Sequence, residues 1–343
     1  LIKKLDSKIY TVEPELLDQF DQRQTIFGRR IWDTTAAFYQ RSPKENLENI
    51  IGRHWHRPGY SRLDYARSAA ARTVHDRFID ECSWKKIDKC DVITERLGKH
   101  LITDVAGISQ QIKDTARMYG ASLVGICEVN PKWVYSYDIS GNVVQIPSEF
   151  KYAVVIVIKM DAEAIQSSPT FLASTVTEVG YLRMAFTISC LAGFIHNLGY
   201  QAMPMGNDTA LSIPLAIDAE LGGLGRNGLL ITRRYGPCVR ICKVFTDMPL
   251  KPDKPKNIHV EEVCKNCKEC ADACEAKAIQ TRTETSFEIA CPSNNIGIKR
   301  WAVNHDRCYE FWIENGTSCS TCIAVCPYTK RGINLGATRT TKT

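Results

Sequence analysis

The sequence predicts an α/β core followed by a small module built on cysteines, and three observations lead there. Of the nine cysteines between 264 and 326, eight fall into two runs of four. Between 104 and 160 apolar residues recur first at helical spacing and then as two β-type runs, the order helix, strand, strand. The chain has 343 residues, 44% of them hydrophobic, enough to bury a substantial core beside the cysteine module.

The cysteine runs read Cys264-x2-Cys267-x2-Cys270-x3-Cys274 and Cys308-x10-Cys319-x2-Cys322-x3-Cys326-Pro327. Two intervening residues let three thiolates converge on three corners of one cubane, while the fourth cysteine of a run turns toward the other cluster. A ferredoxin-like module carrying two 4Fe-4S clusters follows. Cys264, Cys267, Cys270 and Cys326 are assigned to one cluster, and Cys274, Cys308, Cys319 and Cys322 to the other. A zinc site needs only four ligands, and a disulfide framework belongs to small secreted domains lacking a core; neither explains two interleaved sets. The first run has Glu275 where ferredoxin runs carry Pro. Such a module handles single electrons.

Composition narrows the function further. The formal charge is +6, but two oxidised clusters with their thiolates leave only about +2, so basicity is no argument for a nucleic-acid partner. Cys82, Cys90, Cys127, Cys190, Cys238, Cys242 and Cys291 remain outside the array, an odd set read as reduced, mostly buried thiols. No apolar run reaches the roughly 20 residues of a membrane span, and the N-terminus has no signal-peptide pattern. Arg29-Arg30 has no apolar stretch behind it to make a twin-arginine signal. The expectation is a soluble chain, mature or trimmed.

In order along the chain, residues 1–103 are polar and broken by Ser42-Pro43 and Arg57-Pro58-Gly59, and carry Trp32, Trp55 and Trp84. They read as an irregular, helix-containing wrap. The core spans 104–250. Val105, Ile108, Ile112 and Ala116 predict a helix over 104–119 that stops at Gly120. Residues 122–127 predict a short strand, and the run YAVVIVIKM over 152–160 a strand covered on both faces. A helical insertion, 164–210, contains a long amphipathic helix over 174–198 ended by Gly199. Asn207-Asp208 are expected to cap a second helix to about 219, weakened early by Ser212 and Pro214. Strands return at 229–232 and 239–246. A proline-rich linker opens the cluster module, 251–331, and a tail, 332–343, closes the chain.

Three motifs point elsewhere and are discounted. Gly223-Leu224-Gly225-Arg226-Asn227-Gly228 matches GxGxxG, yet a helix precedes it and a strand follows, the reverse of a dinucleotide site. Its glycines still imply close approach of the backbone to something bulky. Asn315-Gly316-Thr317 matches a glycosylation acceptor but sits between cluster ligands. His54 and His56 around Trp55 are read as a loop pair rather than a metal site.

Four strings then carry a resemblance: Gly206-Asn207-Asp208-Thr209-Ala210-Leu211-Ser212-Ile213-Pro214; Gly225-Arg226-Asn227-Gly228-Leu229-Leu230-Ile231-Thr232; Tyr235-Gly236-Pro237-Cys238-Val239-Arg240; and Val244-Phe245-Thr246-Asp247-Met248-Pro249-Leu250. With the cysteine array behind them they closely resemble the corrinoid-dependent reductive dehalogenases over roughly 101–330. The resemblance implies a nitroreductase-like α/β core holding a base-off cobalamin, to which the clusters pass electrons. It implies replacement of carbon-halogen by carbon-hydrogen in a small organohalide, the chemistry of organohalide respiration. Tyr181 fits the family's proton-donating tyrosine, Asn207 its neighbouring asparagine and Arg240 its arginine, with Arg226 as second choice. Thr209, Ser212, Gly225, Arg226 and Gly228 are expected at the cofactor, and Thr177, one helical turn before Tyr181, in the substrate pocket with Trp55 and Trp312 as walls. The corrinoid has no sequence signature of its own here.

The chemistry is consistent with those residues. Hydrodehalogenation takes two electrons and one proton; a phenol holds a proton at neutral pH, and an adjacent guanidinium stabilises the phenolate left behind. The resemblance also implies a low-potential electron donor, a small membrane-anchor protein, and work on the outer face of the cytoplasmic membrane after twin-arginine export, with no nucleic-acid partner. Two rival readings remain: an epoxyqueuosine reductase-like corrinoid enzyme acting on tRNA, and a non-catalytic iron-sulfur electron carrier.

Overall fold

The computed structural model describes residues 11–45, 47–54, 56–78 and 97–330. Trp55, Cys82, Trp84, Cys90 and the tail 332–343 lie outside the described residues.

The N-terminal segment is the expected wrap, and its helices α1 (Ile26–Trp32), α2 (Leu47–His54) and α3 (Arg62–Phe78) dock onto both later parts. Leu17 enters the main apolar core beside Ile298. On α1, the buried Arg29 pairs with Asp33 at 2.8 Å and Asp306 at 2.6 Å, tying the wrap to the cluster module. Tyr60 Oη stands 2.9 Å from Pro169 O and 2.8 Å from Asn315 Oδ1, a junction of all three parts.

In the core, α4 (Val105–Met118) starts where Asp104 accepts from the N–H groups of Ala106 and Gly107, both at 3.0 Å. β1 (Leu123–Glu128) and β2 (Tyr152–Lys159) follow as expected. The long helix α5 (Phe171–His196) begins three residues before the expected start, because the Phe171 N–H is taken up by Gly59 O of the wrap. By length and composition α5 is apolar enough to cross a membrane, a correction to the reading that no stretch reaches that length. It packs instead against the sheet, with Met184, Ile188, Leu191 and Ile195 buried.

β3 (Ala202–Met205) escapes the sequence pattern because Pro204 interrupts it; as an edge strand paired only with β6, it tolerates the missing donor. The short helix α6 (Ser212–Asp218) then leads to a hairpin of β4 (Gly223–Leu224) and β5 (Leu230–Ile231), and β6 (Val239–Thr246) completes the sheet. The sheet order is β1-β2-β6-β3, antiparallel throughout. Residues of β2 alternate between its faces: Val154, Ile156 and Ile158 pack with α4 and α5, while Ala153, Val155 and Val157 pack with α6 and Trp133. Helices on both faces explain why β2 reads as one continuous apolar run.

The cluster module contains α7 (Val260–Asn266), α8 (Glu269–Asp272), α9 (His305–Asn315) and α10 (Thr321–Ala324). Of the cysteines outside the array, Cys127, Cys238, Cys242 and Cys291 are buried thiols outside any disulfide, as expected, and Cys190 is half-buried.

Candidate functional site

Three elements distant in sequence bring Tyr181, Asn207 and Arg240 together. Tyr181 lies in the third turn of α5, half-buried at the edge of the sheet-facing core. Asn207, in the loop after β3, donates from Nδ2 to Tyr181 Oη at 3.1 Å. Arg240, opposite Ile158 on β6, places its guanidinium carbon 4.8 Å from the Tyr181 ring centre. Gly180 makes this approach possible: a Cβ there would lie 2.9 Å from Arg240 Cγ.

Two polar atoms in this neighbourhood are buried with no hydrogen-bond partner among the described residues, Arg240 Nε and Thr177 Oγ1, the latter one helical turn before Tyr181. Buried polar groups are normally paired, so these two fit a polar group supplied from outside the chain. Trp312 Nε1 is likewise buried without a partner among the described residues. Its indole belongs to a separate aromatic group with Phe27, Tyr309 and Phe38.

Asn207 does not cap α6, contrary to expectation; that helix has Leu211 at its N-cap and no side-chain cap. The loop is held by a residue the sequence reading missed. Lys243 on β6 is fully buried, and its Nζ stands 2.7 Å from Gly206 O, 2.9 Å from Asp208 O, 2.7 Å from Ala210 O and 3.1 Å from Ser212 Oγ. Burial pushes its pKa down to about 8, against the attraction of Asp208. The only signal in the sequence is a lone lysine inside an apolar strand. Ser212 is therefore engaged by Lys243, and Thr209 donates to Asp208 Oδ2 at 2.7 Å, so both are committed to shaping this loop.

Arg226 requires a correction. Its Nε donates to Cys264 O and Cys267 O at 3.1 Å, its Nη1 to Gln280 O (2.9 Å) and Arg282 O (2.7 Å), and its Nη2 to Cys264 O (2.6 Å) and Lys265 O (3.3 Å). A guanidinium has five donors, and these contacts engage the whole fork, leaving none for the Tyr181 site. Gly225 and Gly228 face the same way. A Cβ on Gly225 would meet Ile231 and Asn227 at under 3 Å, and Gly228, at φ +72°, lies against Val303 of the cluster module. The bulky neighbour these glycines accommodate is protein, not a nucleotide, and the GxGxxG string forms a β-hairpin.

Burial acts strongly on the thiols of both expected cysteine sets. Burial pushes Cys270 up to about 12, with the Cys264, Cys326 and Cys267 thiolates adding to the effect. Burial likewise pushes Cys308 up to about 12, with Cys319 and Cys274 beside it, and holds Cys322 well above the usual thiol range. Cysteine thiolates are the ligands that 4Fe-4S clusters take, so this donor set fits them. Among the described residues no three His, Cys, Asp or Glu side chains converge on one ion.

Residues 263–330 match the family model for the 4Fe-4S dicluster domain. The tetrachloroethene reductive dehalogenase of Desulfitobacterium hafniense is 38% identical over 264 residues, covering 65% of this chain and 48% of that protein. Its namesake in Sulfurospirillum multivorans is 35% identical over 261 residues, covering 67% and 52%. A solved reductive dehalogenase, described as performing B12-dependent dehalogenation, superposes on 98% of this chain and 46% of its own with a TM-score of 0.75 at 19% identity. The epoxyqueuosine reductase of Listeria monocytogenes is 28% identical over only 34% of this chain. An α/β core joined to a dicluster module defines an iron-sulfur redox protein. Within that class the chain belongs to the reductive dehalogenase family. It spans about half the length of the curated relatives it matches.

Proposed function

We propose that this chain reduces a small organohalide, replacing carbon-halogen by carbon-hydrogen, with a base-off corrinoid bound at the Tyr181 site and two 4Fe-4S clusters delivering electrons. The observation that carries this reading is the convergence of Tyr181, Asn207 and Arg240 beside two unpartnered buried polar atoms. The corrinoid, when bound, supplies a reductant strong enough to cleave a carbon-halogen bond.

The chain's own residues account for the remainder. Two electrons and one proton enter, and halide leaves. Tyr181 Oη gives the proton; Asn207 Nδ2 fixes the direction of that hydroxyl and donates to the oxygen as negative charge develops on it. The Arg240 guanidinium over the ring face adds a fixed positive charge near the phenolate and is a neighbour for departing halide. The two cysteine sets hold the clusters that relay electrons one at a time.

The same reading includes a low-potential electron donor, a small membrane-anchor protein, and a site of action on the outer face of the cytoplasmic membrane after twin-arginine export. Likeness to the family is its support.

The test is anaerobic reconstitution with iron, sulfide and cobalamin, followed by halide release under a low-potential reductant. Tyr181→Phe is expected to retain both kinds of cofactor and lose most turnover. Full turnover in that variant would remove Tyr181 from the chemistry. Clusters without any bound corrinoid in the unaltered chain would favour a simple electron carrier.

A further inference from the structure

Arg226 is 1% exposed, and its neighbours are carbonyl oxygens and the Trp301 ring, whose centre lies 4.3 Å from the guanidinium carbon. Among the described residues no carboxylate pairs with it. A buried cation without a counter-ion is costly, and carbonyl dipoles alone do not neutralise it. The missing negative charge stands on the segment Arg226 grips, since three of its acceptors belong to the loop from Cys264 to Cys267. A 4Fe-4S core with four thiolates carries a net charge of about −2, and about −3 after accepting one electron.

We infer that Arg226 is the counter-charge of the cluster bound by Cys264, Cys267, Cys270 and Cys326, and that it raises that cluster's reduction potential. Positive charge and N–H groups near the sulfurs favour the more negative, reduced form. The second set has N–H donors of its own, Ala278 to Cys274 Sγ at 3.4 Å and Thr321 to Cys319 Sγ at 3.5 Å, but no Arg226 contact goes to a residue of that set. The effect is therefore specific to one cluster. Arg226 is a positioning and tuning residue rather than a group that touches substrate, and the inference rests on the cluster assignment, not on which substrate the chain reduces.

The experiment is an EPR-monitored redox titration of the full chain, reconstituted with iron and sulfide, with titanium(III) citrate as the one-electron reductant. Arg226→Gln keeps a donor for the carbonyls but removes the charge; one of the two midpoints should move to lower potential and the other stay. A tenfold change in the oxidised-to-reduced ratio, about 59 mV for one electron, is the expected scale. Arg226→Lys, which keeps the charge, should stay near the unaltered midpoint, and Arg233→Gln, an exposed arginine, should move neither. Unchanged midpoints in Arg226→Gln, equal shifts of both clusters, or equal shifts in the Gln and Lys variants would overturn the inference. Loss of one cluster from both Arg226 variants would overturn it too, marking Arg226 as a clamp alone. An unaltered chain that never shows two clusters would overturn the cluster assignment itself, a result distinct from all of these.

Discussion

Arg240 reaches the face of Tyr181, 4.8 Å from guanidinium carbon to ring centre, across the bare backbone of Gly180. Residue 180 thus bears on a relationship between 181 and 240 without any side chain of its own. Gly180→Ala should separate chemistry from stability. Alanine favours a helix interior by about 1 kcal/mol over glycine, which offsets part of the crowding against Arg240. Turnover is expected to fall about tenfold, corresponding to about 1.4 kcal/mol of barrier, while the melting temperature changes little. Comparing halide release with thermal unfolding of the same preparation checks this; unchanged turnover would show that Arg240 need not hold its place over the ring.

Arg240 and Asn207 should be graded rather than equivalent. Arg240→Lys keeps a charge but loses the planar fork that lies over the ring, so it should be impaired, and Arg240→Gln more so. Asn207→Ala removes one hydrogen bond to Tyr181 Oη and should cost about tenfold to a hundredfold in turnover, with clusters retained. Steady-state rates with iron content measured in parallel read this out. Equal activity in Arg240→Gln and the unaltered chain would contradict the assignment.

Lys243 sets a pH dependence. Its folded pKa of about 8 lies below its ordinary value of 10.5. Between those values the unfolded chain holds the extra proton, so this group's contribution to stability rises with pH, by up to about 3 kcal/mol from pH 8 to 10.5. Below pH 8 its burial cost is fully present. The stability difference between the unaltered chain and Lys243→Met should therefore shift in favour of the unaltered chain as pH rises through this window. Denaturant unfolding at pH 7.5 and pH 10 measures it. A shift of opposite sign would mean that the carbonyls of Gly206, Asp208 and Ala210 hold the ammonium tightly enough to outweigh its burial.

Arg29 fastens the wrap to the cluster module through Asp33 and Asp306. Arg29→Met leaves the nearly buried Asp33 without its cation, and a loss of about 3 kcal/mol is expected. The checks are chemical denaturation and faster proteolysis within residues 11–45. A loss below about 1 kcal/mol would show that the two carboxylates find water instead.

Sequence alone determined the elements whose signal is local. The helix 104–119 and the strands 122–127, 152–160 and 239–246 follow from periodicity, and the cysteine spacing marks the dicluster module, because each pattern is made by neighbours along the chain. Tertiary structure decided what depends on partners far away. The strand containing Pro204 exists because its edge position needs no donor there. Asn207 became a partner of Tyr181 rather than a helix cap because Lys243, 36 positions later, holds its loop by the carbonyls. Arg226 and Arg240 look alike as residues in apolar surroundings. Burial against the cysteine loop engages every donor of the first, and a glycine on a facing helix admits the second to the ring of Tyr181. No local pattern encodes either outcome, since the energy of a buried charge is set by what the fold places around it.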